Sequence, residues 1–254
     1  MTLRATLALA SAAALWLAAS TVNFAESVKP PKGFVALYNG KNLDGWRGGD
    51  TQDHRKYLAM TPEARATQDA AWLADVNLHW RADGDELVND GKGRFLTTVK
   101  EYGDFELLVD YKALPLGDSG IYLRGVPQVQ IWDHTNPAEF KNGAEKGSGG
   151  LWNNSPGAPG KDPLVLADKP FGEWNHFRIF MVGDRVSVWL NNQLVVHHAV
   201  LENYYDRKTP IPAKGPIELQ THGSEIRWKN VFVREIDEKE SKKILESGGN
   251  SIKK

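Results

Sequence analysis

The chain has 254 residues, 31 Lys+Arg against 32 Asp+Glu, a formal net charge of -1 and no cysteine. With 41% hydrophobic residues and nine Trp there is ample apolar surface for a packed core. The balanced charge gives no cationic footprint for nucleic acid, and the lack of Cys excludes disulfides, thiolate metal sites and cysteine nucleophiles.

Arg4 lies in a short basic stretch ahead of the apolar run Ala5–Ala19, which ends in the small residues Ala18, Ala19 and Ser20. A bilayer-spanning helix needs about 20 apolar residues, so residues 1–25 read as a cleavable export signal. The expectation is a periplasmic or secreted protein with no membrane association after cleavage.

Gly33–Gly40 reads as a short strand ending in an Asn-Gly turn. Within Gly48–Asn77, Thr61-Pro62-Glu63 is a helix start, Thr as N-cap and Pro at the first helical position, with the helix running to about Leu73. From Leu78 onward the pattern is strands and turns, with β-rich runs at Arg94–Val99, Phe105–Leu114, Gly120–Arg124, Val126–Asp133, His176–Val182, Arg185–Leu190, Gln193–His198, Ile217–Thr221 and Glu225–Glu235. Gly183-Asp184 and Asn191-Asn192 are hairpin signals. So many short strands with little helix between them predict one antiparallel β-sandwich over residues 33–236, carrying a short helical insertion near its N-terminus. Asp133–Trp152 and Asn153–Phe171 read as long surface loops, and residues 237–254 as a polar tail with a short solvated helix.

Alternate residues of a strand share a face. Tyr122 and Arg124 therefore face one way, opposite Ile121 and Leu123. Gln128 and Gln130 face away from Val129 and Ile131, and Asp133 joins them if a bulge adds a residue near Trp132. Glu218, Gln220 and His222 face away from Ile217 and Leu219. Polar outward faces are expected of any half-solvated sheet. Amides, Arg and His beside Trp132, Trp152 and Asn153 nonetheless suit a polyhydroxylated ligand, offering planar hydrogen bonding and stacking. Arg124 suits a ligand clamp or an ion pair with Asp110 or Asp133. His222, before Gly223, is either a turn cap or the best-placed base. Asp118-Ser119-Gly120 reads as a turn. No His-Glu-x-x-His motif or other metal-ligand spacing stands out, and no cofactor is expected, a divalent metal staying open.

The run Phe34-Val35-Ala36-Leu37-Tyr38-Asn39-Gly40-Lys41-Asn42-Leu43-Asp44-Gly45-Trp46 resembles the opening of the 3-keto-disaccharide hydrolase domain family. The likeness continues through Tyr102–Leu107, Gly117–Gly125, Gln128–Asp133, Gly172–Asn175 and Gly215–Gly223, so it covers Gly33 to Ile236. It implies a concanavalin A-like jelly-roll sandwich and activity on glycosides whose C3 hydroxyl has been oxidised to a ketone. It also implies a separate oxidoreductase that makes that ketone. Glucanases of the same fold carry carboxylates at i, i+2 and i+5 of one strand. Here these positions hold Gln128, Gln130 and Asp133, and two of the three cannot exchange a proton. A 3-keto sugar needs one base to remove the acidified C2 proton, after which the C1 bond breaks by elimination and water adds. The resemblance makes His222 or Asp133 the base and Arg124 the enolate clamp. Gln128, Gln130, Gln220, Tyr122, Glu218, Trp132 and Asn153 become substrate-binding candidates. The alternatives are a non-catalytic, lectin-like carbohydrate-binding domain and a conventional glucanase pairing Asp133 with Glu218.

Overall fold

Along Ile121–Leu123, Val129–Ile131 and Ile217–Leu219, every second side chain is apolar, fully buried and part of one core. That period of two is what a strand with one face inward requires. The computed structural model describes residues 29–253; the export signal expected over residues 1–25 lies outside them. Its strands in chain order are β1 (Val35–Ala36), β2 (Trp46–Gly49), β3 (Trp80–Asp83), β4 (Glu86–Asn89), β5 (Phe95–Thr98), β6 (Phe105–Ala113) and β7 (Asp118–Leu123). There follow β8 (Val126–Trp132), β9 (Asn175–Val182), β10 (Arg185–Leu190), β11 (Gln193–Val200), β12 (Ile217–Leu219) and β13 (Ile226–Glu235).

They form two antiparallel sheets. The larger has the order β11-β10-β9-β6-β13-β4-β3 with β1 added on β13, and the smaller is β2-β5-β12-β7-β8. Leu107, Val109, Tyr111, Ile179, Val188 and Trp228 of the larger sheet share the core with Leu96, Ile121, Val129, Ile131 and Leu219 of the smaller. The fold is the antiparallel sandwich that alternation predicts and the jelly roll that the resemblance implies. Both hairpin signals join neighbouring strands, β9 to β10 and β10 to β11. Asn191 and Asn192 take positive φ of 50° and 64° there, which an Asn pair tolerates at little cost.

The helical insertion holds two helices, α1 (His54–Leu58) and α2 (Pro62–His79). The Thr61 side chain accepts a hydrogen bond from the Ala64 N–H, with Pro62 opening the helix. The helix runs six residues past Leu73, because nothing breaks it before Trp80 turns into β3. Gly48 is what lets α2 lie against β2: a Cβ there would stand 2.4 Å from Trp72 Cβ.

The tail differs from expectation. Helix α3 (Glu238–Glu246) buries Ile244 against Phe180, Val182, Trp189 and Ile236 on the outer face of the larger sheet. Asp237 caps it by accepting from the Glu240 N–H. It is thus a half-buried amphipathic helix, since its buried positions, Ser241 and Ile244, lie three residues apart on one face. Among the described residues no helix is long and apolar enough to cross a membrane.

Gly215 carries a sharp packing constraint. A Cβ there would lie 2.4 Å from the Arg124 carbonyl oxygen, a backbone atom that cannot swing aside. Gly215→Ala is expected to cost about 1–3 kcal/mol through overpacking, read as a lower thermal midpoint. An unchanged midpoint would mean that the β12–β7 edge yields freely.

Candidate functional site

The outer face of the smaller sheet forms the floor of a cavity of about 560 Å³. From β7 come Asp118 and Tyr122, from β8 come Gln128, Gln130 and Trp132, and from β12 and the residues after it come Gln220, Thr221 and His222. Strand pairing brings them together: Gly120 stands opposite Gln130, and the Gln220 N–H donates to the Gly120 carbonyl at 2.9 Å, carrying the β12–β7 pairing one residue beyond Leu219. Gly120 makes room for the Gln128 amide, since a Cβ would sit 2.7 Å from Gln128 Oε1 and force that side chain to shift. The walls come from the loop after β2, with Asp50 and Thr51, and from loops carrying Glu139, Asn142, Trp152, Asn153 and Tyr204.

A chain of hydrogen bonds crosses the floor. Gln128 Nε2 donates to Gln130 Oε1, Gln130 Nε2 donates to Asp118 Oδ1 at 2.8 Å, and Asp118 Oδ2 lies 3.1 Å from His222 Nδ1. The Asp118 carboxylate raises the His222 pKa above its ordinary value, against the opposing pull of burial. Asp118 therefore fixes the imidazole and leaves Nε2 for the cavity, the arrangement of an oriented general base.

Asp118 was missed in the sequence, where Asp118-Ser119-Gly120 reads as a turn. The three residues instead begin β7. The signal available was alternation itself, since Asp118, Gly120 and Tyr122 share one face.

The rings at one end are held by backbone carbonyls. Trp132 Nε1 donates to Gly147 O and Trp152 Nε1 to Asn142 O, each at 2.9 Å. The two indoles meet edge to face with centroids 5.9 Å apart. At the other end the Tyr122 and Thr51 hydroxyls lie 2.9 Å apart. Gln128 Oε1, Gln220 Oε1 and Asn153 Oδ1 are buried without any hydrogen-bond partner. Each such acceptor costs about 1–3 kcal/mol unless something donates to it.

Three expected site residues stand elsewhere. No bulge occurs at Trp132: Trp132 stays in phase opposite Asp118, and the irregularity lies between Ile121 and Leu123. Asp133 consequently leaves the glutamine face. Its carboxylate accepts from the Leu116 N–H at 2.8 Å and from the Thr135 N–H and hydroxyl, both at 2.7 Å. Burial opposes ionisation of Asp133, but those donors outweigh it and hold its carboxyl below the usual carboxylate range, which makes it a turn-building group and a weak base.

Arg124 is the second. Its guanidinium donates to Gly103 O at 2.7 Å, Gly183 O at 2.8 Å and Asp104 Oδ1 at 2.5 Å. With φ at 56° it has left the strand conformation, so alternation misplaces it. Its ion-pair partner is Asp104, neither Asp110 nor Asp133.

Glu218 is the third. It lies beside Arg47, His54 and Tyr57 under the helical insertion, accepting from Thr97 Oγ1 at 3.0 Å. Burial pushes its pKa up to about 7, partly offset by Arg47. A carboxyl whose folded pKa is raised loses stability as pH climbs from its unfolded value toward the folded one, a cost of ~3 kcal/mol once both are passed. Glu218→Gln is therefore expected to raise the thermal midpoint more at pH 8 than at pH 5. Equal gains at both would place the charge elsewhere.

Among the described residues no group of three or more His, Asp or Glu is placed to hold a metal ion.

A jelly-roll sandwich with an amide- and aromatic-lined cavity on one sheet defines the class of protein. Residues 33–234 match the 3-keto-alpha-glucoside-1,2-lyase-like domain family, and the chain belongs to it. It is 22% identical over 249 residues to a 3-keto-disaccharide hydrolase of Bacteroides thetaiotaomicron, spanning 81% of this chain and 79% of that one. Two crystal structures from Parabacteroides distasonis ATCC 8503, both provisionally described as glycosyl hydrolases, share the fold. One superposes with TM-score 0.53 at 21% identity, covering 81% of this chain and 94% of its own. The other gives TM-score 0.53 at 23% identity over 80% and 99%.

Proposed function

We propose that this chain is a glycoside-cleaving enzyme that acts on 3-keto-glycosides, including 3-keto-disaccharides, by elimination and hydration. The glycoside-acting class follows from family membership. The observation that carries the chemistry is the Asp118–His222 pair at the edge of a cavity whose floor offers amides in place of a carboxylate pair.

His222 Nε2 takes the C2 proton, and the C2–H electron pair moves to give the enolate of the C3 ketone. Collapse of the enolate forms the C1–C2 double bond as the C1–O bond breaks, and the leaving oxygen gains a proton. Water then adds its hydroxyl at C1 and a proton returns to C2, so the net reaction is hydrolysis. A positioned base contributes typically about 10²–10⁴-fold. The amides of Gln128, Gln220 and Asn153 line the cavity and take sugar hydroxyls, and Trp132 with Trp152 supplies the apolar stacking wall.

The conventional glucanase reading loses the pair it named, since neither Asp133 nor Glu218 lines the cavity, and two carboxylates that do, Asp50 and Asp118, are paired with Arg94 and His222. The deciding assay compares a glucoside with its 3-keto derivative at equal concentration. Cleavage of the keto form alone is expected. Equal cleavage of both would overturn the elimination route, and binding without cleavage would make the chain a lectin-like module. The substrate's ketone has to come from a separate oxidoreductase acting at C3. Export rests on the run around Ala5–Ala19, and N-terminal sequencing of the mature protein tests it, with a start between about residues 20 and 26 expected.

A further inference from the structure

We infer that the cavity selects neutral or amine-bearing sugars and rejects anionic ones, with Glu139 as the residue that sets this preference. The inference rests on the sugar-binding part of the proposed function and is independent of its chemistry.

The charged side chains lining the cavity are Asp50, Asp118, Glu139 and His222, and neither Lys nor Arg is among them. The carboxylates are not equivalent. Asp50 is paired with Arg94, and Asp118 is taken up by Gln130 and His222. Glu139 sits on an exposed 3-10 turn, Pro137–Asn142, where Asn142 Nδ2 donates to Oε2 at 2.6 Å. No cation pairs with it among the described residues, so its charge acts on whatever enters. Its field already reaches across the cavity, adding to the rise in the His222 pKa.

The amides of the wall suit a neutral polyol. Gln128 Oε1, Gln220 Oε1 and Asn153 Oδ1 are acceptors without a partner, and the Gln220 and Asn153 side chains also carry NH2 donors toward the same cavity. Hydroxyl groups, which both donate and accept, match such a lining. A sugar carboxylate or phosphate would meet the unpaired Glu139 carboxylate, negative against negative once His222 is neutral, the repulsive element that specificity commonly uses.

The test is calorimetric titration with methyl glucoside, methyl glucuronide and methyl glucosaminide, at low ionic strength and in 1 M salt. The glucuronide is expected to bind at least about fivefold more weakly than the glucoside at low salt, and the glucosaminide at least as well. The gap narrows in 1 M salt, where the screening length falls to about 3 Å. In Glu139→Gln and Glu139→Lys the glucuronide gains at least about threefold relative to the glucoside, a ratio that a general loss of folding would not move. Equal binding of glucoside and glucuronide overturns the inference. So does a gap that neither variant nor salt alters, and so does failure of all three to bind. A charge-dependent gap in a protein that cleaves no 3-keto-glycoside would instead leave this inference standing and remove the catalytic reading.

Discussion

His222→Ala is expected to lower turnover of a 3-keto-glycoside by at least about 100-fold, the scale of one lost general base, while the thermal midpoint changes little. His222 is exposed and, among the described residues, pairs with Asp118 alone, so the side chain adds little to the core. The pH profile carries the sharper information. The base must be neutral, and Asp118 raises the pKa at which it becomes so. The wild-type kcat/KM is expected to climb with pH through a midpoint above the ordinary imidazole value. Asp118→Asn removes the anion, moves that midpoint downward and lowers the plateau, because the ring is no longer held with Nε2 toward the cavity. A profile unmoved by Asp118→Asn, or full turnover in His222→Ala, would assign proton removal to another group. The same pair has the opposite consequence for stability. A raised histidine pKa stabilises the fold below its unfolded value, and that contribution fades as pH rises through the folded one.

Arg124→Ala is expected to lower stability by about 3–5 kcal/mol, as for breaking a buried charged pair by removing one partner. The guanidinium is buried and ties the β7–β8 turn to Asp104, Gly103 and Gly183. Deleting it leaves the Gly103 and Gly183 carbonyls without that donor and removes the counter-charge of Asp104, which keeps the Gly183 N–H and the Ser241 hydroxyl. In a domain of this size each kcal/mol is worth roughly 2–4 °C, so the midpoint falls by roughly 6–20 °C. Activity of the fraction that remains folded should stay within a few-fold of wild type in kcat. A large fall in kcat with an unchanged midpoint would instead restore Arg124 to the substrate side.

Legibility of the site followed the strand period. Gln128, Gln130 and Trp132 stand together because β8 keeps its alternation to the end, and Gln220 with His222 follows from the same rule on β12. Where the backbone left that period, the reading failed. Arg124 adopts positive φ at the turn into β8, so its side chain swings out of register. Asp133 needed a bulge that is absent. Glu218 obeys alternation but is roofed by the α1–α2 insertion, and no local pattern says where an insertion lies on a sheet.

By itself the sequence determined the sandwich, its hairpins, the capped start of α2 and the polar strand faces, because these depend on side-chain period and turn chemistry within a few residues. Family kinship was also written in it, in six motifs from Gly33 to Ile236. Only the tertiary structure decided that Asp118 meets His222, that Asp104 claims Arg124 and that Glu139 faces the same cavity. These pairings join residues far apart in the chain, and which of them meet depends on strand order and loop path, neither of which leaves a local trace.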